Sequence, residues 1–300
     1  MPRPSVRGVL RHARRYVQGD RTARRAQERD WFFRAAARFT PVLAVDSELG
    51  RILVSSNDDA VGRATFIHGG YDYETISTII ALLERAVPGW PHGGVILEVG
   101  ANIGTTTLML ARHADVIAFE PVPGNLEILR CNVVANQIDD RVTVRGVAVS
   151  DVAGFVTMEL SGANSGDHRV RLTDRNGSLE EADRDTIRVP TIRLDDDIGD
   201  QPVALVWIDA QGHEAQILAG ASRLLASGTP IVIEYWPYGL RRADGLERLE
   251  ALVAENFTTV IDTSRAPGDD GHILEPGALS TLRDRYPQPS DYTDLLLVSA

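Results

Sequence analysis

Four carboxylates lie where predicted strands end, and they are the residues best placed to do chemistry. They are Glu98, Glu120, Asp209 and Glu234. In open α/β sheets, ligands bind beyond the carboxyl ends of the strands, so these acids would share one crevice. Their mutual repulsion would be costly without a cationic ligand or hydrogen-bond donors to offset it. The set therefore favours a common ligand site over four separate capping roles.

A glycine-containing turn follows the first of these acids. Gly100 and Gly104 allow a tight turn, with Ala101 and Asn102 between them, and let backbone N–H groups approach a ligand closely. Thr105 is predicted to cap the next helix, whose positive end would face the same ligand. The turn lacks the G-x-G-x-x-G spacing that holds a pyrophosphate. The pattern predicts a nucleotide-cofactor turn and disfavours an NAD-dependent oxidoreductase, which is the alternative enzyme class.

Glu120 ends the second predicted strand, roughly 20 residues after the glycine turn. An acid at this place can accept hydrogen bonds from both hydroxyls of a ribose. That position alone does not distinguish NAD from another adenosine cofactor. The missing third glycine and the acids around the turn favour a ligand with an adenosine and a positive charge, and S-adenosylmethionine has both.

Three residues are candidates for the base of a methyl transfer. The reaction mainly needs an acceptor held in line with the sulfonium methyl, but a hydroxyl acceptor must also lose a proton. The candidates, in order, are Asp209, His213 and Glu234. The alternatives are an orienting role for the aspartate, a satisfied surface position for the histidine, and a cap or an ion pair with Arg241 for the glutamate. These acids leave metal binding open as an alternative, but no His/Asp cluster with metal-ligand spacing is visible, so no metal ligand is predicted.

Residues 164–169 form a polar loop that is predicted to face the substrate. The loop holds both a proton acceptor and a fixed positive charge, and it lies outside the regular alternation of elements. A plain surface turn is the alternative. Trp236 and Tyr238, just after the strand that ends in Glu234, are expected either to line an acceptor pocket or to pack in the core.

Strands and helices alternate from residue 95 onward, which predicts a mostly parallel sheet with helices on both faces. The predicted strands of this sheet cover residues 95–99, 115–119, 141–149, 203–208, 230–235, 258–261 and, as an antiparallel edge strand, 295–298. The predicted helices cover residues 74–87, 105–112, 125–136, 214–225 and 246–255. Further β-like segments lie at residues 42–45, 51–55, 155–160, 169–172 and 186–192, and residues 57–59 and 68–70 are predicted loops.

The charge of the chain is divided unevenly. Residues 1–40 carry 11 Arg and three acidic residues, a net charge of +8. Since the whole chain has a net charge of −11, residues 41–300 carry −19. An acidic body disfavours nucleic-acid binding. The arginines recur at helical spacing, which predicts a basic helical arm that packs loosely and is solvated. The alternative is docking of the arm on an acidic partner or an anionic membrane surface.

Composition excludes several other classes of protein. The chain is 43% hydrophobic and 24% charged, which is typical of a soluble globular protein. No apolar run approaches the ~20 residues of a membrane-spanning helix, and no apolar signal-peptide segment is visible, so a cytoplasmic location is expected. All 31 basic residues are arginine, which excludes a catalytic lysine. Cys131 is the only cysteine, so no internal disulfide is possible.

Taken together and in order, several motifs resemble the FkbM family of S-adenosylmethionine-dependent methyltransferases over about residues 66–298. They are Glu98-Val-Gly-Ala-Asn-Ile-Gly104, Ala118-Phe-Glu-Pro-Val-Pro123, Asn132, Ala148-Val-Ser-Asp151 and Trp207-Ile-Asp-Ala-Gln-Gly-His-Glu214. In many relatives the last motif runs Lys-Ile-Asp-Val-Glu-Gly-x-Glu. Here Trp207 replaces the lysine and Gln211 the first glutamate, so a charge-based role is not carried over to either position.

The resemblance implies a Rossmann-like class I methyltransferase fold with a mostly parallel, seven-stranded sheet. It implies S-adenosylmethionine as the cofactor, with residues 100–104 under the methionine part, Glu120 on the ribose and residues 148–151 near the adenine. The predicted cofactor-binding residues are Glu98, Gly100, Ala101, Asn102, Gly104, Thr105, Glu120, Pro121, Ala148 and Asp209. Three parts of the chain are expected: a basic arm at 1–40, a β-hairpin and helix at 41–94, and a methyltransferase domain at 95–300.

The resemblance also implies an O-methyltransferase. Its acceptor would be a hydroxyl of a small molecule, a sugar, or a polyketide- or lipid-like intermediate that is free or bound to a carrier. The oxygen acceptor rests on family analogy and not on a particular residue. The non-enzymatic alternative is a cofactor-binding scaffold that recruits partners through the basic arm.

Overall fold

The computed structural model describes residues 22–172, 177–179, 181–264 and 272–299. The first 21 residues of the predicted arm therefore lie outside the described residues. The described part of the arm is a helix, α1, at residues 22–36. A hairpin of two antiparallel strands follows, β1 (Val42–Ser47) and β2 (Gly50–Ser55), as predicted.

The remaining elements alternate between helix and strand over most of the chain. Up to the middle they are α2 (Val61–His68), α3 (Tyr73–Ala86), β3 (Val95–Val99), α4 (Thr105–Leu110), β4 (Val116–Phe119), α5 (Pro123–Ala135), β5 (Val142–Arg145), β6 (Ala148–Val149), β7 (Gly154–Leu160) and β8 (Arg169–Val170). Beyond it they are β9 (Asp185–Ile192), α6 (Leu194–Ile198), β10 (Val203–Ile208), α7 (Glu214–Ala219), α8 (Ser222–Ala226), β11 (Ile231–Tyr235), α9 (Pro237–Arg242), α10 (Leu246–Asn256), β12 (Thr259–Asp262), β13 (His272–Leu274) and β14 (Thr293–Val298).

The main sheet has the order β13-β12-β14-β11-β10-β3-β4-β5. Strands β11, β10, β3, β4 and β5 pair in parallel, which confirms the predicted α/β fold with a mostly parallel sheet. The sheet has eight strands where seven were predicted. The prediction that residues 295–298 form an edge strand is wrong, because β14 lies between β11 and β12. Its consecutive Leu295, Leu296 and Leu297 are all fully buried, as suits a strand covered on both faces.

Two hydrophobic cores lie on the two faces of the main sheet. Successive residues of each strand alternate between them, so Ile96 packs in one core and Leu97 in the other. Helices α3, α4 and α5 cover the first face through residues such as Ile79 and Leu129. Helices α7, α8 and α10 cover the second face, for example through Leu249. The predicted helices on both faces are confirmed.

A second sheet of four strands, in the order β6-β9-β7-β8, lies outside the alternating pattern. It contains the β-like segments predicted near residues 155–160, 169–172 and 186–192. The single strand predicted at 141–149 is wrong. The extended backbone is interrupted at Gly146, and the residues before and after it form β5 in the main sheet and β6 in the second sheet. The predicted helix at 214–225 is also two helices, which divide at Gly220 where that residue packs closely on the backbone of Ser150.

Among the residues that the structure describes, three short α-helices were not predicted, α2, α6 and α9, nor was the 3-10 helix at Pro276–Asp284. Helix α2 lies between the two predicted loops at 57–59 and 68–70, and its sequence carries Gly62 in the first turn, which hides the helical pattern. Helix α9 begins with Pro237, the residue type that fits a first helical position. Among the described residues, no helix is both long and apolar enough to cross a membrane.

Candidate active site

A cavity of about 350 Å³ lies beyond the carboxyl ends of β3, β4, β10 and β11. This is where a parallel sheet places its ligands. Ten of the twelve residues predicted for the site line the cavity, namely Gly100, Ala101, Asn102, Thr105, Glu120, Pro121, Ala148, Asp209, His213 and Glu234. Glu98 and Gly104, the other two, do not line it.

The glycine turn has the left-handed backbone that its sequence predicts. Gly100 and Gly104 both have φ of +90°, and Asn102 has φ of +51°. A Cβ at residue 100 would lie 1.8 Å from the backbone oxygen of Asp209, so only glycine lets β3 and β10 approach here. Thr105 does not cap α4 as predicted. Gly104 holds the N-cap position, and Thr105 is already the first helical residue.

Glu120 accepts two backbone hydrogen bonds, one of them from the glycine turn. Its Oε2 accepts from the N–H of Asn102 at 2.9 Å, and its Oε1 accepts from the N–H of Val122 at 2.8 Å. The side chain is only 4% exposed. Burial raises the pKa of Glu120 to about 8, against the opposing effect of the two N–H groups, which favour the charged form. Each oxygen keeps a further lone pair for a ligand hydroxyl.

Glu98 lies beneath the turn and Gly104 ends it, and neither residue lines the cavity. The Oε2 of Glu98 accepts from the hydroxyl of Thr107 at 2.6 Å. Burial raises the pKa of Glu98 to about 8, and the nearby Glu120 adds to the rise. A Cβ on Gly104 would lie 2.6 Å from a methyl group of Leu129 on α5. Both residues therefore support the turn in this structure, and contact with a cofactor stays a prediction for them.

Asn132 on α5 joins the turn to the N-terminal hairpin. Its Oδ1 accepts from the N–H of Leu53 at 2.6 Å. Its Nδ2 donates to the carbonyl of Leu53 at 3.0 Å and to that of Ile103 at 2.7 Å. The asparagine is fully buried, so these bonds hold the turn from below. Its place among the sequence motifs thus has a structural reason.

Gln211 joins two of the three candidates for the base, the first and the third in the predicted order. Its side-chain amide donates to Oδ1 of Asp209 at 2.7 Å and to Oε2 of Glu234 at 3.1 Å. Asp209 is exposed to the cavity. The protein around the cavity still reduces the hydration of its carboxylate, and this desolvation raises the pKa of Asp209 to about 6. Burial, and then the charge of Asp209, also raise the pKa of Glu234 well above its ordinary value. Glu234 therefore has an amide partner, not the arginine partner considered from the sequence.

The turn that carries Asp209 and Gln211 is held by Glu214. One carboxylate oxygen, Oε1, accepts from the N–H groups of Ala210 and Gly212, each at 3.1 Å. Gln211 has φ of +53°, a strained conformation that this carboxylate supports. Burial raises the pKa of Glu214 to about 7. Glu214 thus positions the amide that links the two acids.

Four further polar residues on the same side of the cavity were not predicted: Tyr71, Asp72, Tyr292 and Asp294. Asp294 lies opposite Glu234 in the antiparallel pairing of β11 with β14. Burial raises the pKa of Asp294 to about 7, and the charge of Asp209 contributes. The only local clue in the sequence is an acid before three leucines. The pairing itself joins distant parts of the chain and has no local pattern.

His213 is buried, so the surface position considered for it is wrong. It is 5% exposed, and its Nε2 lies 3.0 Å from the hydroxyl of Ser150. Burial lowers the pKa of His213 to about 4, which keeps the ring neutral at pH 7. Its Nδ1 and the Nη2 of Arg169 have no partner among the described residues, and both side chains line a second cavity of about 20 Å³.

The polar loop lies at the cavity as predicted, except for its last residue. Residues 164–168 line the cavity. The hydroxyl of Ser165 donates to Asp58 at 2.5 Å, and Asn125 donates to the carbonyl of Ser165 at 3.1 Å. Arg169 points away from the cavity into an ion-pair network with Asp167 at 2.6 Å and Glu181 at 3.2 Å. Its positive charge is thus used to hold the loop.

The two aromatic residues after β11 have different surroundings. Trp236 lines the cavity, and the guanidinium of Arg169 lies 4.7 Å from the centre of its ring. Tyr238 does not line the cavity, and its hydroxyl donates to Glu181 at 2.6 Å. The expected pocket role therefore applies to the tryptophan and the packing role to the tyrosine.

The apolar and acidic side chains that line the cavity fit an adenosine cofactor with a cationic centre. Apolar side chains, among them Phe119, Val149 and Met158, give one end a wall suited to a flat base. Glu120 offers acceptors for a diol, and Asp209 with Glu234 makes the other end acidic. Within the described part of the chain, no three His, Cys, Asp or Glu side chains are grouped so that they could hold a metal ion.

Comparison with known proteins gives a consistent family. A sequence profile described as the methyltransferase FkbM domain matches residues 98–254. The chain is 30% identical over 174 residues to the 2-O-methyltransferase NoeI of Sinorhizobium fredii, covering 52% of this chain and 67% of that protein. It is 28% identical over 215 residues to the hexuronic acid methyltransferase AglP of Haloferax volcanii, covering 70% and 80%.

A third relative, 31-O-demethyl-FK506 methyltransferase FkbM of Streptomyces tacrolimicus, is 32% identical over 189 residues, covering 53% of this chain and 69% of that protein. The profile begins on β3 and ends within α10, so it includes the glycine turn, Glu120 and the turn of Asp209. The prediction of a methyltransferase enzyme is confirmed. Because the profile matches more than half of its residues, the chain belongs to the FkbM family of methyltransferases.

Proposed function

We propose that this chain transfers a methyl group from S-adenosylmethionine to a hydroxyl of a small molecule, a sugar, or a polyketide- or lipid-like intermediate. One observation carries the proposal. The glycine turn, Glu120 and the linked Asp209 and Glu234 all line a single cavity of about 350 Å³. An adenosine-binding end and an acidic end therefore meet in one space. The names of two relatives, a 2-O-methyltransferase and a 31-O-demethyl-FK506 methyltransferase, support an oxygen acceptor.

The cofactor would be held by the turn and by the ends of β3 and β4. The two oxygens of Glu120 already accept one backbone N–H each and have a lone pair left for each ribose hydroxyl. Ala148 and Met158 would lie against the adenine. When bound, the cofactor supplies a methyl group on a positively charged sulfur, and the nearby acid Asp209 would offset that charge.

Asp209 is the best candidate to take the proton from the acceptor hydroxyl. Gln211 donates to its Oδ1, so Oδ2 is the atom left for the proton. A pKa of about 6 leaves most of the carboxylate charged at pH 7, while making it a stronger base than an ordinary aspartate. Glu234 shares the same amide and would hold the acceptor by a hydrogen bond. Because the amide fixes both acids, the base is in position before the acceptor binds.

The first test separates cofactor binding from methyl transfer. Calorimetry should show saturable binding of S-adenosylmethionine and no comparable binding of NADH. The protein would then be incubated with methyl-labelled cofactor and a panel of hydroxylated acceptors that includes free sugars and uronic acids. Mass spectrometry would identify products heavier by one methylene unit.

The decisive variant is Asp209→Asn, with Asp139→Asn on the exposed surface as its control. Asp209→Asn should keep cofactor binding within a few-fold and lose transfer by a factor of about 10²–10⁴, the usual contribution of a general base. The control should keep both properties. Full transfer by Asp209→Asn would remove this residue from the mechanism, and tight binding of NADH in place of the methyl donor would overturn the proposed function.

A further inference from the structure

Three large aromatic side chains are exposed on and just after α1. Trp31 is 73% exposed, Phe32 is 50% exposed and Phe39 is 87% exposed. The other three tryptophans of the chain, at 90, 207 and 236, are at most 8% exposed. Exposed apolar residues are normal when they are scattered, but three within nine residues form a patch of the kind that marks an interaction site.

The inner side of α1 is packed on the domain, which fixes the direction of its outer side. Phe33 is 1% exposed, and its ring centre lies 5.7 Å from that of Phe66 on α2. Asp30 forms an ion pair with Arg63 at 2.6 Å, and Arg29 donates to the carbonyl of Ile67 at 3.0 Å. Trp31 therefore projects outward from an ordered helix.

Arginines surround the exposed aromatic residues. Arg24 precedes Trp31 by seven residues, which is about two helical turns and brings both side chains to one face. Arg38 follows Trp31 at the same spacing in the turn after the helix. Residues 22–40 contain five Arg against Glu28 and Asp30, a net charge of +3. Glu28 forms an exposed ion pair with Arg24 at 3.1 Å, and Asp30 pairs with Arg63 of α2 at 2.6 Å. The surface is therefore basic and aromatic at once.

We propose that this surface, formed by Arg24, Trp31, Phe32, Arg38 and Phe39 and called here the arginine–aromatic surface, docks on an anionic lipid bilayer. The planar guanidinium group of arginine pairs with phosphate through two parallel hydrogen bonds. Tryptophan and phenylalanine side chains enter the boundary between headgroups and acyl chains. A bilayer offers both features in adjacent layers over its whole extent, whereas a protein partner would need apolar pockets of matching shape beside its acidic groups.

The charge of the rest of the chain limits how the protein can dock. Residues 41–300 carry −19, so an anionic bilayer repels the body while it attracts the basic end. Contact is thus confined to α1 and its neighbours. Helix α1 packs on α2, and the first residue of α2, Val61, lines the main cavity. One helix therefore separates the arginine–aromatic surface from the wall of the cavity.

The experiment uses the full chain and two kinds of vesicle, phosphatidylcholine alone and phosphatidylcholine mixed with phosphatidylglycerol. Co-sedimentation should show binding to the mixed vesicles and little binding to phosphatidylcholine alone. The fluorescence of tryptophan should shift to shorter wavelength on the mixed vesicles and should be quenched by brominated lipids. Since the other tryptophans are buried, Trp31 is the residue that reports this shift.

Paired variants identify the surface. Trp31→Ala with Phe39→Ala should weaken vesicle binding about ten-fold or more, since each loses the transfer of an aromatic side chain from water. Arg24→Gln and Arg38→Gln should each weaken it about five-fold, and raised salt should have the same effect.

The controls are Phe155→Ala, an aromatic residue 60% exposed on β7, and Arg130→Gln on the exposed side of α5. Both should bind like the natural chain.

Several results would overturn the proposal. These are no binding to mixed vesicles, equal binding to both kinds of vesicle, or an equal loss in the control variants. A fluorescence shift of the same size with polyglutamate in place of vesicles would assign the surface to an acidic protein instead. Catalytic activity is not measured, so failure here leaves the proposed methyl transfer untouched.

Discussion

Gln211 is the residue that makes two neighbouring acids compatible in the cavity. Its amide donates to both Asp209 and Glu234, at 2.7 and 3.1 Å. The motif that this segment resembles carries a glutamate at that position in many relatives. A third carboxylate there would add repulsion to a group whose pKa values burial already raises. The glutamine supplies donors instead, so the difference from the motif has a clear electrostatic effect.

The acids of the cavity predict how stability depends on pH. In the folded chain the pKa of Asp209 is about 6, against an ordinary value of 3.8. Between these values the folded chain binds more protons than the unfolded chain, so the free energy of unfolding falls as the pH rises. Asp209→Asn removes this group, and we expect a smaller fall across the window. Urea unfolding at pH values from 4 to 7 measures it.

The exposed Asp139→Asn serves as the control for this measurement and should keep the natural slope. Because Glu234 shares an amide with Asp209, the slope belongs to the pair. If Asp209→Asn showed the same decline as the control, the raised pKa of Asp209 would not contribute to stability.

At a pH of about 9, above the raised pKa of Glu120, Glu120→Ala should weaken the binding of S-adenosylmethionine by about 1.5–3 kcal/mol, the range for hydrogen bonds to a charged group. The alanine removes two acceptors for the ribose and also frees the N–H groups of Asn102 and Val122. Calorimetry gives the affinity. Glu127→Ala, an exposed acid on α5, is the matched control for the loss of one negative charge. Equal affinity in the two variants would place Glu120 outside the cofactor site.

At the scale of elements, the glycine turn depends on three different parts of the chain. Glu120 at the end of β4 accepts one of its N–H groups, and Asn132 on α5 donates to one of its carbonyls. The backbone of Asp209 after β10 lies against Gly100. The turn is thus shaped by its neighbours as much as by its own glycines.

Gly100→Ala should destabilise the chain much more than Gly104→Ala. Both residues have φ of +90°, so both variants pay a strain of about 1–3 kcal/mol. The new Cβ at 100 would lie 1.8 Å from a backbone oxygen, whereas at 104 it would lie 2.6 Å from a side-chain methyl of Leu129 that can rotate away. Chemical unfolding of the two variants compares them. Losses of equal size would show that β3 and β10 can separate at Gly100 without cost.

The elements that were predicted well have a strong local pattern. The apolar run of β3 and the amphipathic repeat of α3 needed no information from elsewhere in the chain. The errors lie where distant contacts decide. The strand β5 ends before Gly146 because the next strand, β6, pairs with β9 in the second sheet. Strand β14 lies inside the main sheet because β12 and β13 occupy the positions between it and the sheet edge.

The same distinction holds for the site. Strand-end acids such as Glu120 and Asp209 could be found because strand ends are visible in sequence and parallel strands bring them together. Asp294 could not be found, since it comes from an antiparallel strand whose register with Glu234 has no local pattern. The support that Glu98 gives beneath the turn, and the buried position of His213, also depend on packing that only the folded chain defines.

For the molecule as a whole, the structure connects the basic arm to the body more closely than its charge suggests. The division into parts at 1–40, 41–94 and 95–300 stays a prediction. Phe33, however, belongs to the same hydrophobic core as Ile96 and Leu205 of the main sheet. The second half of α1 therefore contributes to stability while its outer side stays exposed.

Phe33→Ala should lower the free energy of unfolding by about 3–5 kcal/mol, the usual loss for a buried phenylalanine. A chain that begins at Thr22 should keep the natural value, because it retains this contact. Phe39→Ala, an 87% exposed phenylalanine, is the matched control and should change stability little. Thermal or urea unfolding measures all three. A loss as large in Phe39→Ala as in Phe33→Ala would contradict the packing described here.

The order of the strands has a consequence for synthesis on the ribosome. Asn132, which holds the glycine turn, also binds Leu53, which lies 79 residues before it in the chain. The turn packs against the backbone of Asp209, which is translated about a hundred residues after the turn. At about 5–20 residues per second, that delay is roughly 5–20 s. Asp294, which is translated after Asp209, completes the acidic wall. A ligand stabilises only the state that binds it, so a ligand of this cavity can protect the chain only after Asp294 has been translated.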